Sequence, residues 1–327
     1  MELKYKEKID SGVFDYLYKF GTIITIFLLI MIFGIVESSF LQPENIINIL
    51  RSISIVTIIA VGVTVSLTVG GFDLSVGSVA SVADAVVLSM FVWYNQVTWV
   101  SILVALGVGL IMGAINALLI VKVRIPDMLL TLATMFIFQG VAQTYTRGAT
   151  VSKNMIMPDG NFAQGNVTEL FKKLGQVPWI IIIMVAIVIT VHVFLTKTKH
   201  GRYMYVIGGN QEAARLSGIP VKKYKVYAYL ISAFFASVGG IILASRVQTA
   251  EINAGSAYLM DAVAAAYIGF SVGGSGKPNV LGTFVGAILI GILQNGLVMM
   301  SVPYYSMDIV KGLVLAFALA LTYWRKK

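Results

Sequence analysis

The sequence predicts an all-α membrane protein that crosses the bilayer about ten times. Three observations carry that expectation. Of 327 residues, 58% are hydrophobic and only 12% charged, whereas a soluble domain is nearer a quarter charged. Several apolar runs reach the roughly 17 residues a helix needs to span the hydrocarbon. Lys and Arg gather on alternate sides of those runs. Soluble enzymes, nucleic-acid binders and disordered chains are excluded on these grounds. The net charge of +9 then reads as the excess of basic residues in cytoplasmic loops. Cysteine is absent, which excludes disulfides, thiol chemistry and Cys-based metal sites. The two histidines, His192 and His200, are too few for a metal centre, and His200 reads as a solvated loop residue among lysines.

The first apolar run, 20–37, follows Lys4, Lys6, Lys8 and Lys19. No small-x-small cleavage site follows it before Pro43, so it reads as a retained membrane helix. Further helices are expected at 46–69, 78–94, 98–121 and 126–145. After a polar segment, 146–176, comes a helix at 178–196, then a basic segment, 197–223. The last four helices are expected at 224–245, 258–273, 279–300 and 306–323. With the N-terminal 1–19 in the cytoplasm, the inner side holds 17 of the 24 Lys and Arg. These are the four before the first helix, Lys122, Arg124, seven within 197–225, Lys277 and three at the C-terminus. Both termini are therefore expected inside, with 146–176 extracytoplasmic and 1–327 forming one transmembrane domain. Trp93, Tyr94, Trp99, Trp179, Tyr304, Tyr305 and Trp324 fall at the expected interfaces.

Residues 70–78, Gly-Gly-Phe-Asp-Leu-Ser-Val-Gly-Ser, follow the apolar run 55–69 and place Gly70, Gly71, Asp73, Ser75 and Gly77 where a continuing helix needs apolar groups. A carboxylate at membrane depth must face protein or water. Non-helical backbone there must line a cavity or be buried in protein. The stretch reads as a helix interruption beside a polar path. The alternative is a short cytoplasmic turn with Asp73 capping the next helix.

The pattern recurs. Asp73-Leu-Ser-Val-Gly-Ser78 and Glu251-Ile-Asn-Ala-Gly-Ser256 share the order acidic, aliphatic, polar, small, Gly, Ser, 178 positions apart. Asp84-Ala-Val echoes Asp261-Ala-Val at an offset of 177, and Gly113 with Asn116 echoes Gly291 with Asn295 at 178 to 179. Five helices separate equivalent points, so the two copies insert in opposite directions. The second to fifth and seventh to tenth helices are expected to form an inverted repeat, the first and sixth lying outside it. Inverted repeats with interrupted helices mark transporters; chance recurrence of Gly, Ser and Asp at helix turns is the alternative.

Candidate path residues are Asp73, Ser75, Asn116, Glu251, Asn253, Gln294 and Asn295, with Gln139 a further neutral polar group inside a helix. Interhelical hydrogen bonds are the competing explanation for each. Gly109-x-x-x-Gly113 and Gly282-x-x-x-Gly286 read as packing seams. Lys311, inside the last helix, reads as a snorkelling residue. Gly273-Gly-Ser-Gly-Lys277 imitates a phosphate-binding loop but carries Ser271 and Pro278 where that loop needs Gly and Ser or Thr. Any energy from ATP must then enter through another subunit.

Within the basic segment, 211–217 is expected to be a short helix capped by Asn210, with Glu212 in its first turn and Gly218 and Pro220 closing it. It reads as a docking element, with a plain connector as the alternative. Residues 70–77, 207–219 (Ile-Gly-Gly-Asn-Gln-Glu-Ala-Ala-Arg-Leu-Ser-Gly-Ile), Asn253-Ala-Gly with Ala262-Val-Ala-Ala, 280–287 and 310–315 together resemble the bacterial ABC-transporter permeases for ribose, xylose and similar sugars, including autoinducer-2. The resemblance spans roughly 45–320. It implies a multi-pass protein of the bacterial inner membrane, working beside a second permease copy or relative. ATPase subunits that use ATP and Mg would lie below it and an extracytoplasmic sugar-binding protein above it. It implies no cofactor in this chain, no catalytic residue and no nucleic-acid partner. Glu212-Ala213-Ala214-x3-Gly218 is similar to the family's ATPase-coupling pattern, which implies a coupling role for those residues.

The expected function is import of a ribose-like monosaccharide delivered by the binding protein. The same machine with a nucleoside, riboflavin, a branched-chain amino acid or another small polar solute is the nearest alternative. An ion-coupled secondary transporter and a non-transporting scaffold are the rivals of a different class.

Overall fold

The computed structural model describes residues 20–157, 160–270, 272 and 276–323. Its helices are α1 (Phe20–Val36), α2 (Pro43–Thr68), α3 (Val76–Val92), α4 (Thr98–Leu118, extended by a π turn over Leu119–Val123), α5 (Asp127–Thr146), α6 (Glu169–Leu174) and α7 (Trp179–Lys197). They continue as α8 (Lys199–Gly209), α9 (Gln211–Leu216), α10 (Val221–Val247), α11 (Ser256–Ile268), α12 (Val280–Met299) and α13 (Tyr304–Tyr323). Among the described residues the only β pairing is two isolated bridges, Val151 with Ala250 and Ile156 with Phe162. The chain is all-α. Among the described residues six helices are long and apolar enough to cross a membrane: α2, α4 with its π turn, α5, α7, α10 and α12. Helices α1, α3 and α11 are apolar but shorter.

A helix lies in each of the ten ranges expected from hydropathy. Three more, α6, α8 and α9, lie in the two polar segments, and α6 and α8 were not anticipated. Helix α8 carries Gly201, Gly208 and Gly209, which read as breakers in isolation. The structure needs the first two for close approach. A Cβ on Gly201 would strike the backbone of Leu195, and one on Gly208 the carbonyl of Thr68. His200 consequently sits on a helix, its Nδ1 2.9 Å from the Tyr224 hydroxyl, not in a loop. The 258–273 helix starts at Ser256 and ends at Ile268. Ser271 and Gly273–Ser275 of the loop-like motif, the N-terminal lysines, Trp324 and the basic C-terminal residues lie outside the described residues.

The described residues form two compact units, one from Ser54 to Val263 and one from the flanking parts. In the first, α10 is the axis: it packs on α3 and α4, and α3 packs in turn on α4 and α5. Small residues allow that density, because helices without a hydrophobic drive between them gain by close backbone contact. Gly109 and Gly113 of α4 face Ser237 and Ala233 of α10, so this seam is a helix–helix contact. Helix α7 buries a single stripe, Ile180, Met184, Val188, Val191 and Leu195, as a peripheral helix does.

In the second unit, Gly282 and Gly286 of α12 lie against Gly269 and Ala265. Asn279 caps α12 by accepting from the Gly282 N–H at 2.5 Å, and it donates to the Gly269 carbonyl at 2.8 Å. Lys311 is paired with Asp308, one turn earlier on α13, at 2.9 Å.

Candidate functional site

Between α2 and α3 the chain leaves helical geometry. Gly70 takes φ +71, a value open to glycine. Asp73 then folds back on its own strand of chain. Its Oδ1 accepts from the Ser75 backbone N–H at 3.0 Å and from the Ser75 hydroxyl at 2.6 Å, the turn an Asx side chain favours. Its Oδ2 accepts from the Ser232 hydroxyl of α10 at 2.7 Å. Asn116 of α4 donates to the Ser75 hydroxyl at 2.8 Å. All four side chains are buried. Three of the predicted path residues, Asp73, Ser75 and Asn116, are thus brought together with Ser232, which sequence reasoning missed. A run of donors leads from Asn116 through Ser75 to the carboxylate, which also takes Ser232. This arrangement answers the cost of burying a charge with charge-assisted hydrogen bonds and ties α4, α10 and the break into one knot.

A second acid stands beside the break. Asp127, in the first turn of α5, accepts from the Tyr229 hydroxyl at 2.7 Å and pairs with Lys225 at 3.4 Å. Gly71 lies directly against this pair. A Cβ there would sit 2.6 Å from the Tyr229 hydroxyl oxygen and 2.9 Å from Asp127 Oδ2. Thr131 donates to the Phe72 carbonyl at 3.0 Å. Lys225, Tyr229 and Ser232 recur at helical spacing, so one face of α10 reads both acids. Sequence offered a signal for this face in its polar i, i+4, i+7 pattern.

The basic segment, 197–223, reaches the same place. A Cβ on Gly70 would lie 3.7 Å from Gly208 Cα and 3.8 Å from Gln211 Nε2. The α8–α9 junction therefore rests on the break itself. Helix α9 is built as expected: Asn210 caps it, accepting from the Ala213 N–H at 2.9 Å. Gly218, at φ +77, closes it. Its N–H bonds the Arg215 carbonyl while that of Ile219 bonds the Ala214 carbonyl, both at 3.0 Å, the Schellman pattern. Glu212 and Arg215 are exposed and paired. The hydrogen bonds from the Arg215 guanidinium hold the Glu212 carboxyl below the usual carboxylate range. Ala213 is exposed and Ala214 is buried under the helix. Arg124, Asp127, Gln211, Lys222 and Lys225 line a cavity of about 270 Å³ beside α9.

The second box, 251–256, is different. Glu251 is exposed, and Asn253 takes φ +64 with its Oδ1 buried and unbonded. Yet the two boxes meet. A Cβ on Gly77 would lie 3.0 Å from Leu259 Cβ and 3.2 Å from the Gly255 carbonyl oxygen. One on Gly255 would strike the Gly77 carbonyl, and the Gly255 N–H donates to the Ser81 hydroxyl at 3.0 Å. The glycines that correspond in the repeat are packed against each other.

Two further predicted path residues, Gln294 and Asn295, belong to the other unit. Asn295 and Asn45 exchange amide hydrogen bonds at 3.0 Å, joining α12 to α2. Gln294 is exposed, and Gln139 is part-exposed on α5. Among the described residues no three His, Cys, Asp or Glu gather as a metal site.

Residues 45–319 match the family described as branched-chain amino acid transport system / permease component. The ribose import permease RbsC of Bacillus subtilis is 36% identical over 315 residues, covering 94% of this chain and 93% of its own. That of Haemophilus influenzae is 34% identical over 300 residues, 90% of each chain. The galactose/methyl galactoside import permease MglC of Escherichia coli is 32% identical over 328 residues, 95% of this chain and 97% of its own. No solved structure matches. With a family match over most of its length and several helices able to span a bilayer, the chain is a multi-pass membrane protein that belongs to this family of transport-system permeases.

Proposed function

We propose that the chain is the membrane permease of an ATP-driven ABC importer for a monosaccharide, a ribose-like sugar first. The similarity to ribose and galactose import permeases supports the solute class. An extracytoplasmic binding protein delivers the sugar to the side formed by 146–176 and 246–257. Ten helices cross the membrane, both termini are cytoplasmic, and the two halves are inverted copies. A second permease, identical or related, completes the path, and partner ATPase subunits supply ATP and Mg chemistry.

One observation carries the mechanism: a capped, exposed helix, α9, lies at the base of a helix break tied to α10 by buried hydrogen bonds. Docking of an ATPase on α9 moves the α8–α9 junction, the break and α10 together. Helix α10 runs from this cytoplasmic end to the second box. ATP-driven closure below thereby changes the path above, biasing two conformations by their differential contacts with the partners. Glu212, Ala213, Ala214 and Gly218 form the coupling contact.

The test is ATP-dependent uptake in vesicles holding the permease, its ATPase and its binding protein, with pentoses, hexoses and branched-chain amino acids compared. Sugar uptake that falls at least about tenfold in Gly218→Pro, with the isolated permease still folded, supports coupling at α9; proline cannot adopt the required φ of +77. Unchanged uptake in that variant removes the coupling assignment. Uptake driven by an ion gradient without the ATPase overturns the importer reading, and uptake of an amino acid alone overturns the sugar.

A further inference from the structure

Asp84 lies in the middle of α3, fully buried, and neither of its carboxylate oxygens has a hydrogen-bond partner. Two other acids of this unit, Asp73 and Asp127, are each satisfied by hydroxyl or amine donors. An unsatisfied buried carboxylate is costly. A donor met in another state would satisfy it.

Its surroundings say which donor. Asp84 follows Ser81 by one turn, and Ser81 receives the Gly255 N–H. It therefore shares the α3 face that meets the second box. Glu251 and Tyr258, on either side of Gly255, are its electrostatic neighbours. Within that box the Asn253 Oδ1 is also buried and unbonded. The unsatisfied atoms on this seam are acceptors: two carboxylate oxygens and one amide oxygen. Their complement is a ligand rich in O–H donors and without negative charge. A sugar presents that along its whole edge.

We propose that Asp84 is the hydroxyl-binding acceptor of the translocation path, engaged when the seam between α3 and residues 251–256 opens to admit a neutral polyhydroxylated solute. The proposal rests on the importer reading above and adds a binding residue to it. Part of the cost of the unsatisfied carboxylate is recovered when the solute enters, which couples solute arrival to opening.

The experiment is uptake by the complete transporter, wild type, Asp84→Asn and Asp84→Ala, with ATP hydrolysis followed in parallel. Each assay uses saturating sugar, so that affinity of the binding protein drops out. Ribose is compared with its single-deoxy analogues. Wild type should move the fully hydroxylated sugar faster. Asp84→Ala should lower ribose uptake about tenfold or more, the scale of a lost hydrogen bond to a charged group. The ratio of ribose to deoxy analogue should collapse toward one, while ATP hydrolysis stimulated by loaded binding protein persists. Asp84→Asn, which preserves volume, should also narrow that ratio, and it decides the question if the alanine variant fails to assemble. Unchanged uptake overturns the proposal, as does an equal fall for every sugar, which marks a packing role. Dependence of wild-type uptake on a cation gradient, lost in Asp84→Asn, also overturns it by assigning the carboxylate to a cation. If wild type moves no sugar at all, the importer reading fails first.

Discussion

Residues 73–78 and 251–256 carry the same order of residue types. In the first, the acid is buried and accepts three hydrogen bonds from Ser75 and Ser232. In the second, the acid is exposed and the polar residue two places on, Asn253, keeps an unbonded oxygen inside. Only the glycines do the same thing in both, meeting across the seam. The comparison separates two uses of one pattern. Gly and Ser set a chain geometry that either copy adopts. The acid's task depends on what the rest of the fold brings to it, here α10 with Ser232 in one case and the unpaired face of α3 in the other. The account follows: the first break is a fixed joint, the second a seam that gives.

The sharpest way to break this contrast is to remove each acid. Asp73→Ala strands the Ser75 N–H and the Ser232 hydroxyl, a loss of about 2–4 kcal/mol for buried groups bonded to a carboxylate. Glu251→Ala, on an exposed position, should stay within about 0.5 kcal/mol. Thermal melting of the purified permease measures both, and equal losses would erase the distinction.

Filling the contact comes next. A methyl at Gly255 would sit 2.6 Å from the Ser81 N and 2.9 Å from Ala80 Cβ, tighter than one at Gly77. Gly255→Ala should destabilise by about 1–3 kcal/mol, as overpacking does, and Gly77→Ala by less. The reverse order would mean that the seam closes differently. Comparable in size, Ser232→Ala removes one hydroxyl from Asp73, worth about 1.5–3 kcal/mol if nothing replaces it. Least of all, Arg215→Ala breaks an exposed pair on α9 and should leave the melting temperature unchanged, since such pairs contribute little.

Much of this was legible in the residues. The apolar runs placed a helix in each expected range, six of them long and apolar enough to cross a bilayer among the described residues, because such a run leaves little choice of structure. The ends of α9 were readable from Asn210 and Gly218, since caps are local chemistry. The meeting of Gly77 with Gly255 was foreshadowed only as a repeat, because spacing shows correspondence and not contact. Ser232 and the Tyr229–Asp127 pair were missed: the spacing of Lys225, Tyr229 and Ser232 marks a polar face of α10, but the partners lie about 100 to 160 positions away, and no local pattern names them. Asn295 was read either as a path residue or as an interhelical hydrogen-bonding group, and its partner, Asn45, lies 250 positions away.

Because the chain has no cysteine, single labels can be introduced without a background. The most direct measurement is the distance between paired spin labels in the assembled transporter, nucleotide-free and ATP-bound. One pair, Val123 and Leu216, spans the joint between the π turn and α9; the other, Tyr94 and Ile252, relates the C-terminal end of α3 to the second box. All four positions are exposed. The account predicts that ATP shifts the 94–252 distance and leaves 123–216 unchanged. A shift across 123–216 with 94–252 constant would contradict it.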